Sequence, residues 1–125
     1  MEQNDSDAQH NLGAIYYEDK YIERDINKSI HYLTVAANQN IPKAQLYLGI
    51  IYYEGKHIER DIKKYIYSFT LAASQNDSDA QCKLGEIYYE SKYIMRDISK
   101  SIHYLMLSAN QNIPKAQLYL GIIYY

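Results

Sequence analysis

Three evenly spaced charged pairs are the first candidates for chemistry: Arg24-Asp25, Arg60-Asp61 and Arg96-Asp97, followed three residues after each aspartate by Lys28, Lys64 or Lys100. A carboxylate set among cations could serve acid–base work. Each aspartate, however, directly precedes an apolar stripe of helical spacing, where its oxygen can accept from first-turn amides. A helix cap followed by a solvated cationic face is the better reading. The histidines His10, His31, His57 and His103 are dispersed, and none lies four residues from another, so no metal-ligand spacing is present. Cys82 is the only cysteine. With no base at a defined spacing it reads as a partly buried, inert thiol rather than a nucleophile. No phosphate-binding glycine loop, zinc motif or nucleophile elbow occurs. The residues predict no catalysis, no metal and no cofactor.

The elements that position these residues recur with a fixed period. The skeleton A-Q-x-x-L-G-x-I-Y-Y begins at Ala8, Ala44, Ala80 and Ala116, each 36 residues after the last. Such a period is the signature of stacked repeats. The copies occupy 8–43, 44–79 and 80–115, with a partial copy at 116–125, and together they predict a single domain over residues 4–125. A 72-residue period is superimposed, because Asn40 to Tyr53 is repeated residue for residue at Asn112 to Tyr125.

Within a copy, Ala8, Leu12, Ile15 and Tyr16 share one helical face and define a first helix. Asp5 and Asp77 cap it in alternate copies, and Pro42 and Pro114 start it in the others. The stripe Ile26, Ile30, Leu33, Ala37 and its equivalents define a second helix, capped by Asp25, Asp61 and Asp97. Asn40, Asn76 and Asn112 follow it as left-handed exits. Gln9, Gln45, Gln81 and Gln117 recur beside the core face and are expected to bond neighbouring backbone. A glycine in each first helix (Gly13, Gly49, Gly85, Gly121) costs about 1 kcal/mol against alanine, and its recurrence points to a close backbone approach. Each copy is a helix hairpin that needs neighbours to bury its apolar face. The expectation is an all-α solenoid of seven helices, three full repeats plus one extra helix.

Bulk properties narrow the function. A net charge of -2 gives no electrostatic attraction for phosphate backbones or anionic lipid, so nucleic acid is disfavoured as a partner. No apolar run approaches a membrane span, the first residues are unlike a signal peptide, and a lone cysteine points to a reducing cytoplasm. Tyrosine outnumbers phenylalanine 16 to 1. Codon bias can account for part of that excess, so no tyrosine is singled out for its type alone.

The pattern A-x-x-x-L-G-x-x-Y, D-x-x-K at the start of the second helix, the aromatic Tyr32 and the small pair Ala36-Ala37 resemble the Sel1-like repeat, a relative of the tetratricopeptide repeat. The resemblance covers Asp5 to Tyr125. It implies a right-handed superhelical α-solenoid that acts as a non-catalytic adaptor, holding a peptide or partner protein in a concave groove lined by the first helices. Two departures stand out. The family's G-x-G-V turn is replaced by Asp19-Lys20-Tyr21-Ile22, Gly55-Lys56-His57-Ile58 and Ser91-Lys92-Tyr93-Ile94. The small residue after the second-helix lysine is Ser29 and Ser101 but Tyr65 in copy two, which leaves its packing open.

If Ala8, Leu12 and Ile15 face the core, the opposite side of each first helix carries His10, Ala14 and Tyr17; Leu46, Ile50 and Tyr53; Cys82, Glu86 and Tyr89; and Leu118, Ile122 and Tyr125. As an outward strip this is the expected groove, anchored by its apolar and aromatic members. The alternative is that it packs between adjacent first helices. On the groove reading, Leu46→Glu with Ile50→Glu should abolish partner capture and leave helicity intact. A single-stranded RNA reader stacking bases on tyrosines is a second functional class, without the basic stripe it needs. Self-association, as a homodimer through the uncapped C-terminal helix, is a third.

Overall fold

The computed structural model describes residues 25–125. The first helix expected for copy one, with His10, Ala14, Tyr17 and Gly13, and the expected cap Asp5 lie outside the described residues. Every regular element among the described residues is an α-helix: α1 (Ile26–Asn38), α2 (Pro42–Glu54), α3 (Ile62–Ser74), α4 (Ser78–Glu90), α5 (Ile98–Ala109) and α6 (Pro114–Tyr124). Helices α2, α4 and α6 are first helices of their copies, and α1, α3 and α5 are second helices. The chain divides into two compact units, Met1–Ser68 and Phe69–Tyr125.

The helix starts follow from local chemistry. Asp25, Asp61 and Asp97 accept from the backbone N–H of Lys28, Lys64 and Lys100 at 3.1, 3.1 and 3.0 Å. Asp77 does the same for Ala80 at 2.9 Å. Pro42 and Pro114 open α2 and α6, where no intrahelical N–H is required. The exits of the second helices are equally local. Asn40, Asn76 and Asn112 have φ of 67°, 70° and 66°. The residue after each donates back to Ala36, Ala72 or Ser108, closing the last turn.

Glutamines, buried at positions 45 and 81 and exposed at 117, then tie each second helix to the next first helix among the described residues. Gln45 donates to the Ala37 carbonyl and to Asn40 Oδ1, both at 3.3 Å, and Gln81 donates to Ala73 and Asn76 in the same way. Gln117 reaches the Ala109 carbonyl. Within the second unit, Gln111 adds a rung between successive junctions, donating to the Asn76 carbonyl at 3.1 Å and to Gln81 Oε1 at 3.0 Å.

The turn that departs from the family pattern is solved by a left-handed first residue. Gly55 has φ 66° and closes α2 by donating to Ile51, and Ser91 has φ 52° and donates to Ile87 in the same way after α4. Glycine adopts this conformation freely, whereas a side chain costs about 1–2 kcal/mol there. Ser91→Gly is therefore expected to raise stability by about 0.5–1 kcal/mol after the extra unfolded-state entropy of glycine is subtracted. A rise in the urea midpoint at unchanged slope is the measurement.

In the first unit the core is Leu33 and Ala36 of α1 against Ala44, Leu48 and Ile51 of α2, flanked by Ile26, Ile30, Ala37, Tyr47 and Tyr52. Tyr65, which stands where the other copies carry serine, is fully buried and its ring meets Tyr53 edge-on, with centroids 5.1 Å apart at 84°. In the second unit, Ala80, Leu84, Ile87, Leu105 and Ala116 are buried. The Ser101 hydroxyl donates to the Gly85 carbonyl at 2.7 Å, joining α5 to α4.

Candidate functional site

The side of the first helices expected to form an outward strip is in large part interior. Leu46, Cys82 and Glu86 are each only 6% exposed, and Ile50, Tyr53 and Tyr89 are half-buried. Leu118, Ile122 and Tyr125 are exposed. The three members from copy one lie outside the described residues.

The second unit shows the physical reason. Cys82 packs in one cluster with Leu105 and Ala116. Glu86 is ion-paired with Lys115 at 2.6 Å, and Tyr89 meets Tyr119 edge-on at 5.8 Å. The α4 side chains at positions 82, 86 and 89 are thus the surface on which α6 stacks. For Cys82 and Glu86 the outward assignment is corrected to intramolecular packing, and Leu46, equally buried, does not face solvent either.

Beside this contact the structure holds an open cleft of ≈ 270 Å³, lined by Asp79, Cys82, Lys83, Glu86, Ile113 and Lys115. It lies between α4 and the start of α6, so it retains the first-helix placement, and its mostly apolar surface is bordered by charged side chains. Four of its six lining residues carry charge. Glu86 sits between two cations, with Oε2 on Lys115 and Oε1 3.8 Å from Lys83.

The electrostatics favour charged lysine and neutral thiol. The hydrogen bond from Lys115 to Glu86 holds the ammonium above its usual range despite partial desolvation. Burial, reinforced by the Glu86 carboxylate, pushes the Cys82 thiol up and away from the thiolate a nucleophile needs. Burial likewise raises the Tyr119 phenol, helped by the hydrogen bond it donates to Glu90 at 2.8 Å. No group of three or more potential metal ligands is found among the described residues. Nor, among these residues, is any helix long and apolar enough to cross a membrane.

The Arg-Asp and lysine set also proves more engaged than a solvated face. Arg60 donates to the Tyr53 and Glu54 carbonyls at 2.8 and 3.2 Å, capping the end of α2. Lys64 lies over the Tyr52 ring at 5.0 Å and Lys100 over Tyr88 at 5.2 Å, while Arg96 covers Tyr89 at 4.8 Å. Sequence reasoning missed these pairs. The available signal was the constant 12-residue separation of Lys64 from Tyr52 and of Lys100 from Tyr88.

Comparison with known proteins places this geometry. The Sel1 repeat family model matches residues 6–41, 42–77 and 78–113. No curated protein matches the chain. Among solved structures, the chain is similar to a protective antigen present in uropathogenic Escherichia coli strains that displays an SLR fold, with TM-score 0.90 and 28% identity over 98% of this chain and 26% of that one. It is also similar to a Sel1 repeat protein from Oxalobacter formigenes, with TM-score 0.85 and 30% identity over 98% of this chain and 50% of that one. The chain therefore spans about a quarter and half of these two proteins. Sel1 repeats are in general protein-interaction modules. With three consecutive family matches, solved neighbours of the same repeat architecture and the helix hairpins described above, the chain belongs to the Sel1 repeat family, an all-α solenoid.

Proposed function

We propose that the chain is a non-catalytic interaction scaffold of a reducing cytoplasm, a single repeat domain over residues 4–125. In this reading it binds a peptide or partner-protein segment along the first helices, and the cleft at Asp79, Lys83 and Lys115 is one point of attachment. The observation that carries this reading is the cleft itself: an open concavity on the first-helix side, with an apolar floor at Cys82 and Ile113 and charges of both signs around it. Such a mixture suits a segment bearing charged residues beside a small apolar one, fixed in register by complementary charge. Burial and the Glu86 carboxylate outweigh the nearby Lys115, Ser108 and Lys83 and keep the Cys82 thiol raised, which supports a non-catalytic role.

Selection of peptides from a displayed random library, followed by titration against wild type and Lys83→Glu, tests this. The reading expects selected peptides to lose about tenfold or more in affinity on charge reversal, equivalent to about 1.4 kcal/mol, with unchanged helical circular dichroism. Peptides that bind both proteins equally remove the cleft from the reading. The exposure of Leu118, Ile122 and Tyr125 favours a second reading, self-association of this chain through α6. Sedimentation of the wild type against Leu118→Glu at high concentration tests that reading.

A further inference from the structure

The copies of this repeat share one apolar skeleton in sequence, and the residues Asn40 to Tyr53 and Asn112 to Tyr125 are identical. Apolar packing alone therefore discriminates poorly between a repeat stacked in its proper place and one displaced by a repeat. Misassembly of this kind is a characteristic failure of repeat proteins. One charged contact breaks the degeneracy. At the register of Glu86 the other copies carry Ala14, Ile50 and Ile122, and at the register of Lys115 they carry Asp7, Lys43 and Asp79. The residue at this register alternates between aspartate and lysine from copy to copy, and among the described helices α4 carries Asp79 in its first turn where α2 and α6 carry Lys43 and Lys115.

Glu86 projects from α4 into the contact with α6 and its side chain is 9% exposed. A carboxylate buried to that degree is tolerated when a cation is paired with it. Lys115 supplies that cation from the first turn of α6 at 2.6 Å, and Lys83 of the same helix as Glu86 stands further off at 3.8 Å. A helix of the aspartate kind placed where α6 lies would set a second carboxylate against Glu86 and withdraw the Lys115 ammonium. We propose that Glu86 is a repeat-order key: it makes the α4 surface accept a lysine-bearing first helix as its next neighbour and reject an aspartate-bearing one.

A double-mutant cycle in the 125-residue chain tests the key. Lys115→Asp reproduces the residue of the aspartate-bearing copies, and Glu86→Ile reproduces copies two and four. In the wild-type background Lys115→Asp is expected to lower the folding equilibrium constant by about tenfold or more, and in the Glu86→Ile background by no more than about twofold. Equal factors in the two backgrounds overturn the proposal. If Lys115→Asp does not fold with Glu86 present, Lys115→Met completes the same cycle with the same criterion. A charge exchange separates pairing from side-chain size: Glu86→Lys combined with Lys115→Asp should recover most of what either change loses, and failure to recover overturns the proposal.

Discussion

Gly85→Ala is expected to destabilise the chain by about 2 kcal/mol, although alanine is the better helix former by about 1 kcal/mol. A Cβ at position 85 would lie 2.4 Å from Leu105 Cγ and 2.5 Å from Cδ2, with the Leu105 backbone nitrogen at 3.3 Å. Leu105 is fully buried and cannot swing away. The backbones must part, which lengthens the buried Ser101-to-Gly85 hydrogen bond as well. The repeat provides its own control. Nothing lies within 4 Å of a Cβ built on Gly121, the same register of the partial copy. Gly121→Ala in this chain should therefore gain up to about 1 kcal/mol from helix propensity alone. Urea unfolding of the two variants should give midpoints shifted in opposite directions. A Gly85→Ala midpoint at or above wild type would show that the glycine register is not set by helix–helix contact.

How far the sequence reveals the structure depends on the range of the interaction. Features decided within a few residues were legible: among the described residues the caps Asp25, Asp61, Asp77 and Asp97, the proline starts and the asparagine exits stand where side-chain chemistry places them. The glutamines and the helix glycine were legible in kind because recurrence at one register signals a fixed contact, and Gln45, Gln81 and Gly85 make such contacts. The division of each first helix into a core side and an open side was not legible. A two-sided wheel assumes a helix with one neighbouring surface, whereas α4 packs on α5 with one side and on α6 with another. A warning was present in the composition of α2, whose Leu46, Tyr47, Leu48, Ile50, Ile51, Tyr52 and Tyr53 run around the whole helix, as in a buried element. Glu86 was hidden for a different reason. A lone acidic residue on a helix face ordinarily marks solvent, and the cation that allows its burial stands 29 positions later.

The contrast between Leu46→Glu and Leu118→Glu carries the largest expected effect and bears on every use of the first-helix face. The two leucines sit in identical sequence contexts, from Asn40 to Tyr53 and from Asn112 to Tyr125, so propensity and local charge are matched. Their surroundings differ, with Leu46 6% and Leu118 62% exposed. Glutamate at position 46 forfeits a buried apolar side chain and places a carboxyl group where water cannot reach, which should cost about 4 kcal/mol or more. Glutamate at position 118 remains solvated and should change stability by less than about 0.5 kcal/mol. Loss of partner capture in a Leu46→Glu, Ile50→Glu double variant would accordingly report unfolding of the first unit, not removal of a contact, and its helicity should fall. Leu118→Glu is the clean probe of an exposed first-helix face. If copies of the chain associate through α6, sedimentation at high concentration should show the wild type heavier than a monomer and Leu118→Glu monomeric. Two monomeric proteins remove self-association, and a Leu46→Glu variant as stable as wild type would return that side chain to the surface.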